Sequence, residues 1–149
     1  MKALWREGNM LEIKSILKTE DARINFLKGL MRLAKCDGVK SDEEIQFYLQ
    51  AAVALDLKAS QMDLLSQTWS NDNEKIEIFF DTSKEKMFFF IQAIQLCWID
   101  NKYEEVEQKE IQKIAEELGI SMDAIGKVED WVREGIAWNQ RGDQLIDLQ

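Results

Sequence analysis

One pattern occurs twice in this chain, at a constant offset of 63 residues and without a gap. Phe26, Leu30, Leu33 and Ala34 align with Phe89, Ala93, Leu96 and Cys97. Further on, Tyr48, Ala51, Ala52, Leu55 and Leu57 align with Ile111, Ile114, Ala115, Leu118 and Ile120. Between these apolar blocks Asp37 aligns with Asp100, and Glu44 with Glu107. Apolar spacings of three and four mark amphipathic helices. Such helices can align some apolar positions by chance, but they do not readily align two acidic turn positions as well. Each unit therefore reads as a helix, a turn led by Asp, and a second helix beginning near Glu. The expected architecture is all-α: a single-domain bundle built from two pseudo-symmetric helical hairpins packed into one core.

The composition agrees. The chain has 149 residues, enough for one ordinary domain, and no proline, which favours long uninterrupted helices. Periodicity and capping signals predict helices over 3–17, 21–36, 42–55, 60–69, 84–98, 105–118 and 121–138, with a short one over 74–80. Ser41 with Glu44, and Thr82 with Glu85, have the spacing of capping boxes. Three parts are expected: a helix over residues 1–18 packed on or flanking the bundle, the bundle over 19–138, and a flexible polar tail over 139–149.

No histidine is present. That excludes imidazole bases, Ser-His and Cys-His catalysis, and His-ligated metal sites. Nineteen basic against 28 acidic residues give a net charge of −9, the wrong sign for nucleic-acid binding. The charge is uneven: residues 1–40 carry nine bases and five acids, whereas 100–130 carry four bases and ten acids. An acidic face with a basic end suits a cation or a basic partner, and also suits a plain solvated surface. Cys36 and Cys97, the only cysteines, form no metal-binding or disulfide framework. The charged N-terminus has no signal-peptide pattern, and the longest apolar run, Met87 to Ile99, is too short to span a bilayer. A cytoplasmic location is expected.

Asp37-Gly38-(x5)-Glu44 has the spacing of half an EF-hand loop, but that register puts Leu33 and Lys35 where oxygen ligands are required. An EF-hand is therefore rejected. The segment LAKCDGVKSDEE, repeated as LCWIDNKYEEVE and followed by IQKIAEELGI, instead resembles the TerB-like family. That family includes the tellurite-resistance protein TerB and the N-terminal domain of the co-chaperone DjlA. The resemblance covers roughly residues 20–138. It implies an all-helical fold, an acidic surface proposed to hold divalent cations, and links to stress and to the inner membrane surface. Asp37 and Glu44 match the first acidic pair, and Asp100 and Glu107 the second. Asn101 departs from the Asp-Gly of the motif, and Asn also tolerates a left-handed turn.

The four carboxylates admit two readings. As ligands, their oxygens suit Ca²⁺ or Mg²⁺. As caps, the glutamates bond turn amides and complement the helix dipole, while the aspartates organise the turns. The functional expectation is a non-enzymatic, stress-related binding or scaffold module with a protein partner, no catalytic residues and no nucleic-acid contact. Its alternatives are a metal-dependent hydrolase-like enzyme using paired carboxylates and a ligand-free adaptor. Lys2, Arg6, Lys14 and Lys18 around Leu4, Leu11 and Ile13 could touch an anionic membrane surface, but docking on the bundle is the expected use of that helix. Trp131 and Trp138, seven residues apart, share one face of the last helix and are expected in the core, with an aromatic partner-binding stripe as the alternative.

Overall fold

Four helices begin where a serine or threonine hydroxyl accepts an otherwise free amide. Thr19 accepts from the Ala22 N–H at 3.1 Å, Ser41 from Glu44 at 3.3 Å, Thr82 from Glu85 at 3.1 Å and Ser121 from Ala124 at 3.2 Å. At Thr82 the box is reciprocal, since its own N–H donates to Glu85 Oε1 at 3.1 Å. The computed structural model describes residues 7–36, Gly38, 41–99 and 103–148. Its helices are α1 (Glu7–Ile16), α2 (Glu20–Lys35), α3 (Asp42–Ala54), α4 (Ala59–Ser70), α5 (Ser83–Ile99), α6 (Glu105–Leu118) and α7 (Met122–Ile146). No strand occurs among the described residues. None of the helices is long and apolar enough to cross a membrane, among the described residues.

Helices α3 and α6 end alike. After α6, Gly119 takes φ 72° and the Ile120 N–H reaches back to the Ala115 carbonyl at 2.8 Å. After α3, the equivalent residue is Asp56, at φ 61°, and the Leu57 N–H reaches the Ala52 carbonyl at 3.0 Å. Both are left-handed helix stops, one using the residue suited to it and one an aspartate. Lys14 pairs with Asp56 at 3.1 Å. Arg23 bonds the carbonyls of Leu17 and Leu55 at 2.7 and 3.0 Å, tying the C-terminal ends of α1 and α3 together.

The core lies between α2 and α5. α2 packs on α3, α4, α5 and α6, while α5 packs on α1, α6 and α7. Phe26, Leu30 and Leu33 on α2 and Phe89, Ala93 and Leu96 on α5 are all buried, as their matching places in the repeat predict. Cys97 is also buried. Phe89 meets Phe26 edge-on at 6.3 Å, and touches Phe80 and Phe90 at 5.8 and 5.2 Å. Its ring lies over Gly29, where any Cβ would collide with it. Tyr48 is buried with its hydroxyl donating to the Leu30 carbonyl at 3.2 Å. Ile13 on α1 and Leu17 just past its end are buried, where α1 packs on α5.

Three expectations need correction. Residues 74–80 are not helical. Ile76 and Phe80 are buried while Glu77 and Phe79 are exposed, the period of two of an extended segment. The Phe79 N–H donates to Asn25 Oδ1 at 2.9 Å, and the Ile76 carbonyl accepts from Arg32 at 3.3 Å, so this strap bonds to α2 rather than to itself. The last helix does not stop at Trp138 but runs to Ile146, because Asn139 to Asp143 contain no proline to break it. Trp131 and Trp138 are not in the core. They are 54% and 69% exposed, and the buried face of α7 is instead Ile125, Val128 and Val132.

Candidate functional site

The two acidic positions of the repeat meet different surroundings. Glu44, in the first turn of α3, is half-buried, and Ser41 Oγ donates to its Oε1 at 3.3 Å. Ser41 in turn accepts from the Glu44 N–H, so serine and glutamate bond each other at the start of α3. Glu107, in the first turn of α6, is only 6% exposed. Its Oε2 is buried and accepts no hydrogen bond among the described residues. The α6 N-cap, Glu104, supplies no side-chain cap. Asp37 and Asp100 lie outside the described residues. Among the described residues no group of three or more His, Cys, Asp or Glu side chains is placed to hold a metal ion.

A second orphan lies at the end of α5. Trp98, in its last turn, has a buried Nε1–H without an acceptor among the described residues. Its ring lies 5.8 Å from that of Tyr103, whose hydroxyl donates to Glu129 Oε2 at 2.6 Å. Burial, then that bond and the nearby negative charge, push the Tyr103 phenol well above its ordinary pKa. Buried polar atoms are ordinarily bonded, so orphans on both sides of one turn are unusual.

Elsewhere α2, the strap and α6 enclose a charged groove of about 860 Å³. Arg32 is nine-tenths buried there and donates to Glu110 Oε1 and Glu117 Oε2, both at 2.6 Å. Lys75 also pairs with Glu117. Lys35 donates to the carbonyls of Thr68 and Asn71 at 2.9 and 3.1 Å, and pairs with Asp72 at 3.4 Å. Burial alone would lower the Arg32 pKa, but its bonds to Glu110 and Glu117 outweigh that and raise it. For Glu117 burial would raise the pKa, and the bonds from Lys75 and Arg32 win and lower it. These carboxylates already accept from cationic donors, and the network clamps the two hairpins and the strap to each other.

The network makes a pH prediction. A carboxyl whose pKa is depressed on folding stabilises the protein fully above the ordinary carboxylate pKa of about 4.3. That stability drains as the pH falls through the lower folded value. Chemical denaturation from pH 7 to pH 2.5 should therefore show Glu117→Gln losing less stability on acidification than wild type. Parallel curves would mean that Glu117 is not held by Arg32 and Lys75 in solution.

Sequence reading did not find this groove. Glu110 and Glu117 are seven residues apart and share a face of α6, which is a visible signal. Arg32 stands between Met31 and Leu33, and nothing local announces that it crosses to α6. No family model matches the chain, and neither a curated protein nor a solved structure matches it.

Proposed function

We propose that the chain is a non-enzymatic binding module, with the stress-related scaffold role that its TerB-like resemblance implies, and that Asp100 and Glu107 hold a divalent cation, Ca²⁺ or Mg²⁺. The observation that carries this reading is the buried Glu107 oxygen with no donor among the described residues. Leaving a charged acceptor buried and unpaired costs about 1–3 kcal/mol or more. A hard cation supplies the missing charge, and carboxylate oxygens are its preferred ligands. Glu44 is already engaged by Ser41, which ranks the second turn above the first.

Thermal melts in Ca²⁺, in Mg²⁺ and in chelator test this. Wild type should gain about 2.7 kcal/mol at a cation concentration a hundredfold above its dissociation constant. Glu107→Gln should lose that gain, while Glu44→Gln should keep it. Should millimolar cation leave wild type unmoved, and Glu107→Leu be the more stable protein in chelator, the carboxylate would be a buried defect and the cation reading would fall.

A further inference from the structure

The outer face of α7 has a spacing that nothing inside the chain uses. Trp131, Gly135, Trp138, Gly142 and Leu145 recur at intervals of four and three, so they form one stripe along the helix. Trp131, Trp138 and Leu145 are 54%, 69% and 66% exposed. Glycine is a poor helix former, and a Cβ at Gly135 or Gly142 would meet nothing within 4 Å, so no contact within the chain requires either. A hollow of about 590 Å³ lies at Trp131, Gly135 and Trp138, and one of about 700 Å³ at Trp138, Gly142 and Leu145. Beyond Trp138 every described residue of the helix is exposed. A stretch of helix this short is marginal in water without a packing partner.

We propose that this stripe is the interface with a second copy of the chain, the two α7 helices packing antiparallel about a twofold axis. Antiparallel pairing makes the stripe complementary to itself. With the axis between Ile136 and Ala137, Trp138 of each copy stands over Gly135 of the other, and Trp131 over Gly142. Each bulky ring then enters a hollow floored by glycine. The charges agree with this direction. Glu134 and Arg141 lie along the same face, and neither makes an ion pair among the described residues. In the antiparallel register Arg141 comes within two residues, about 3 Å of helix rise, of Glu134 on the other copy, and symmetry repeats the pair. A parallel in-register pairing would instead set Trp on Trp and leave Glu134 and Arg141 of the two copies on opposite flanks. The tail beyond Trp138 of each copy then lies along the bundle-supported half of the other copy's α7, beside Gln95 of α5. This rests on α7 alone and is independent of the cation site.

Sedimentation equilibrium on the full chain tests it. Wild type should run at twice the 17.4 kDa chain mass, dissociating on dilution. Gly135→Leu fills the hollow without disturbing any contact of its own chain, so it should keep its helical circular dichroism and run as a monomer. Glu134→Arg and Arg141→Glu should each raise the dissociation constant by roughly tenfold, because two attractive pairs become repulsive. The double swap should restore the wild-type value. That rescue is the signature of a self-pairing antiparallel face. A wild-type monomer at high concentration would overturn the proposal. So would a dimer indifferent to Gly135→Leu, or single swaps that the double swap does not repair. Tryptophan emission that shifts on vesicles of neutral lipid while the protein stays monomeric would assign the face to a membrane surface instead.

Discussion

Phe89→Ala should lower the unfolding free energy by about 3–5 kcal/mol. The ring is fully buried, lies against Phe26, Phe80 and Phe90, and closes over Gly29 at the centre of the α2–α5 contact. Truncation removes its transfer free energy and leaves a cavity walled by rigid aromatic rings, which collapse poorly. Urea denaturation of the two proteins measures the difference. A loss below about 1 kcal/mol would mean that the surroundings close over the gap, or that the ring is not where the packing puts it. Gly29→Val tests the same contact from the other side. Its side chain would enter space the ring occupies, so the two phenotypes share one cause and should not add.

Arg32→Met should cost about 3–5 kcal/mol, the range for breaking a buried pair by removing one partner. The methionine fills most of the volume, so the loss is electrostatic. Glu110, with a side chain 17% exposed, is left with Lys113 at 4.0 Å as its one cation among the described residues. Glu117 keeps Lys75. The Ile76 carbonyl loses its donor, which frees the strap from α2. Two controls separate this from a simple packing defect. Adding Glu110→Leu to the variant should recover much of the loss, since the stranded charge goes with it. The deficit should also shrink on acidification, because wild type itself loses what the Arg32–Glu117 bond supplies as the pH falls through the lowered pKa of Glu117. A deficit unchanged by both would assign the role of Arg32 to its aliphatic stem.

Much of the bundle is visible in local chemistry. Ser41, Thr82 and Ser121 mark helix starts because a hydroxyl next to free amides has one favourable use, and that use does not depend on distant residues. The buried faces of α2, α5 and α6 follow from apolar residues at helical spacing. The strap at 74–80 escaped the same reasoning. Its bonds come from Asn25 and Arg32, 54 and 44 residues away, and no window around residues 74–80 contains them. Before the fold was known, the length and apolar content of that segment suited a short helix equally well.

By itself the sequence determined the helical class and the boundaries of most helices, because backbone preference and side-chain periodicity act over a few residues. Only the tertiary structure decided how equivalent positions differ. Glu44 and Glu107 hold the same place in the repeat, yet one is bonded to a serine and the other is buried with an oxygen that meets no donor among the described residues. Trp131 and Trp138 had to share a face. Which side of α7 that face would be was settled by Ile125, Val128 and Val132 on the other side, which pack into the bundle with α5 and α6. Periodicity gives the angle between side chains on one helix. It carries no information about which angle points at a neighbour, because burial is a property of all the helices together.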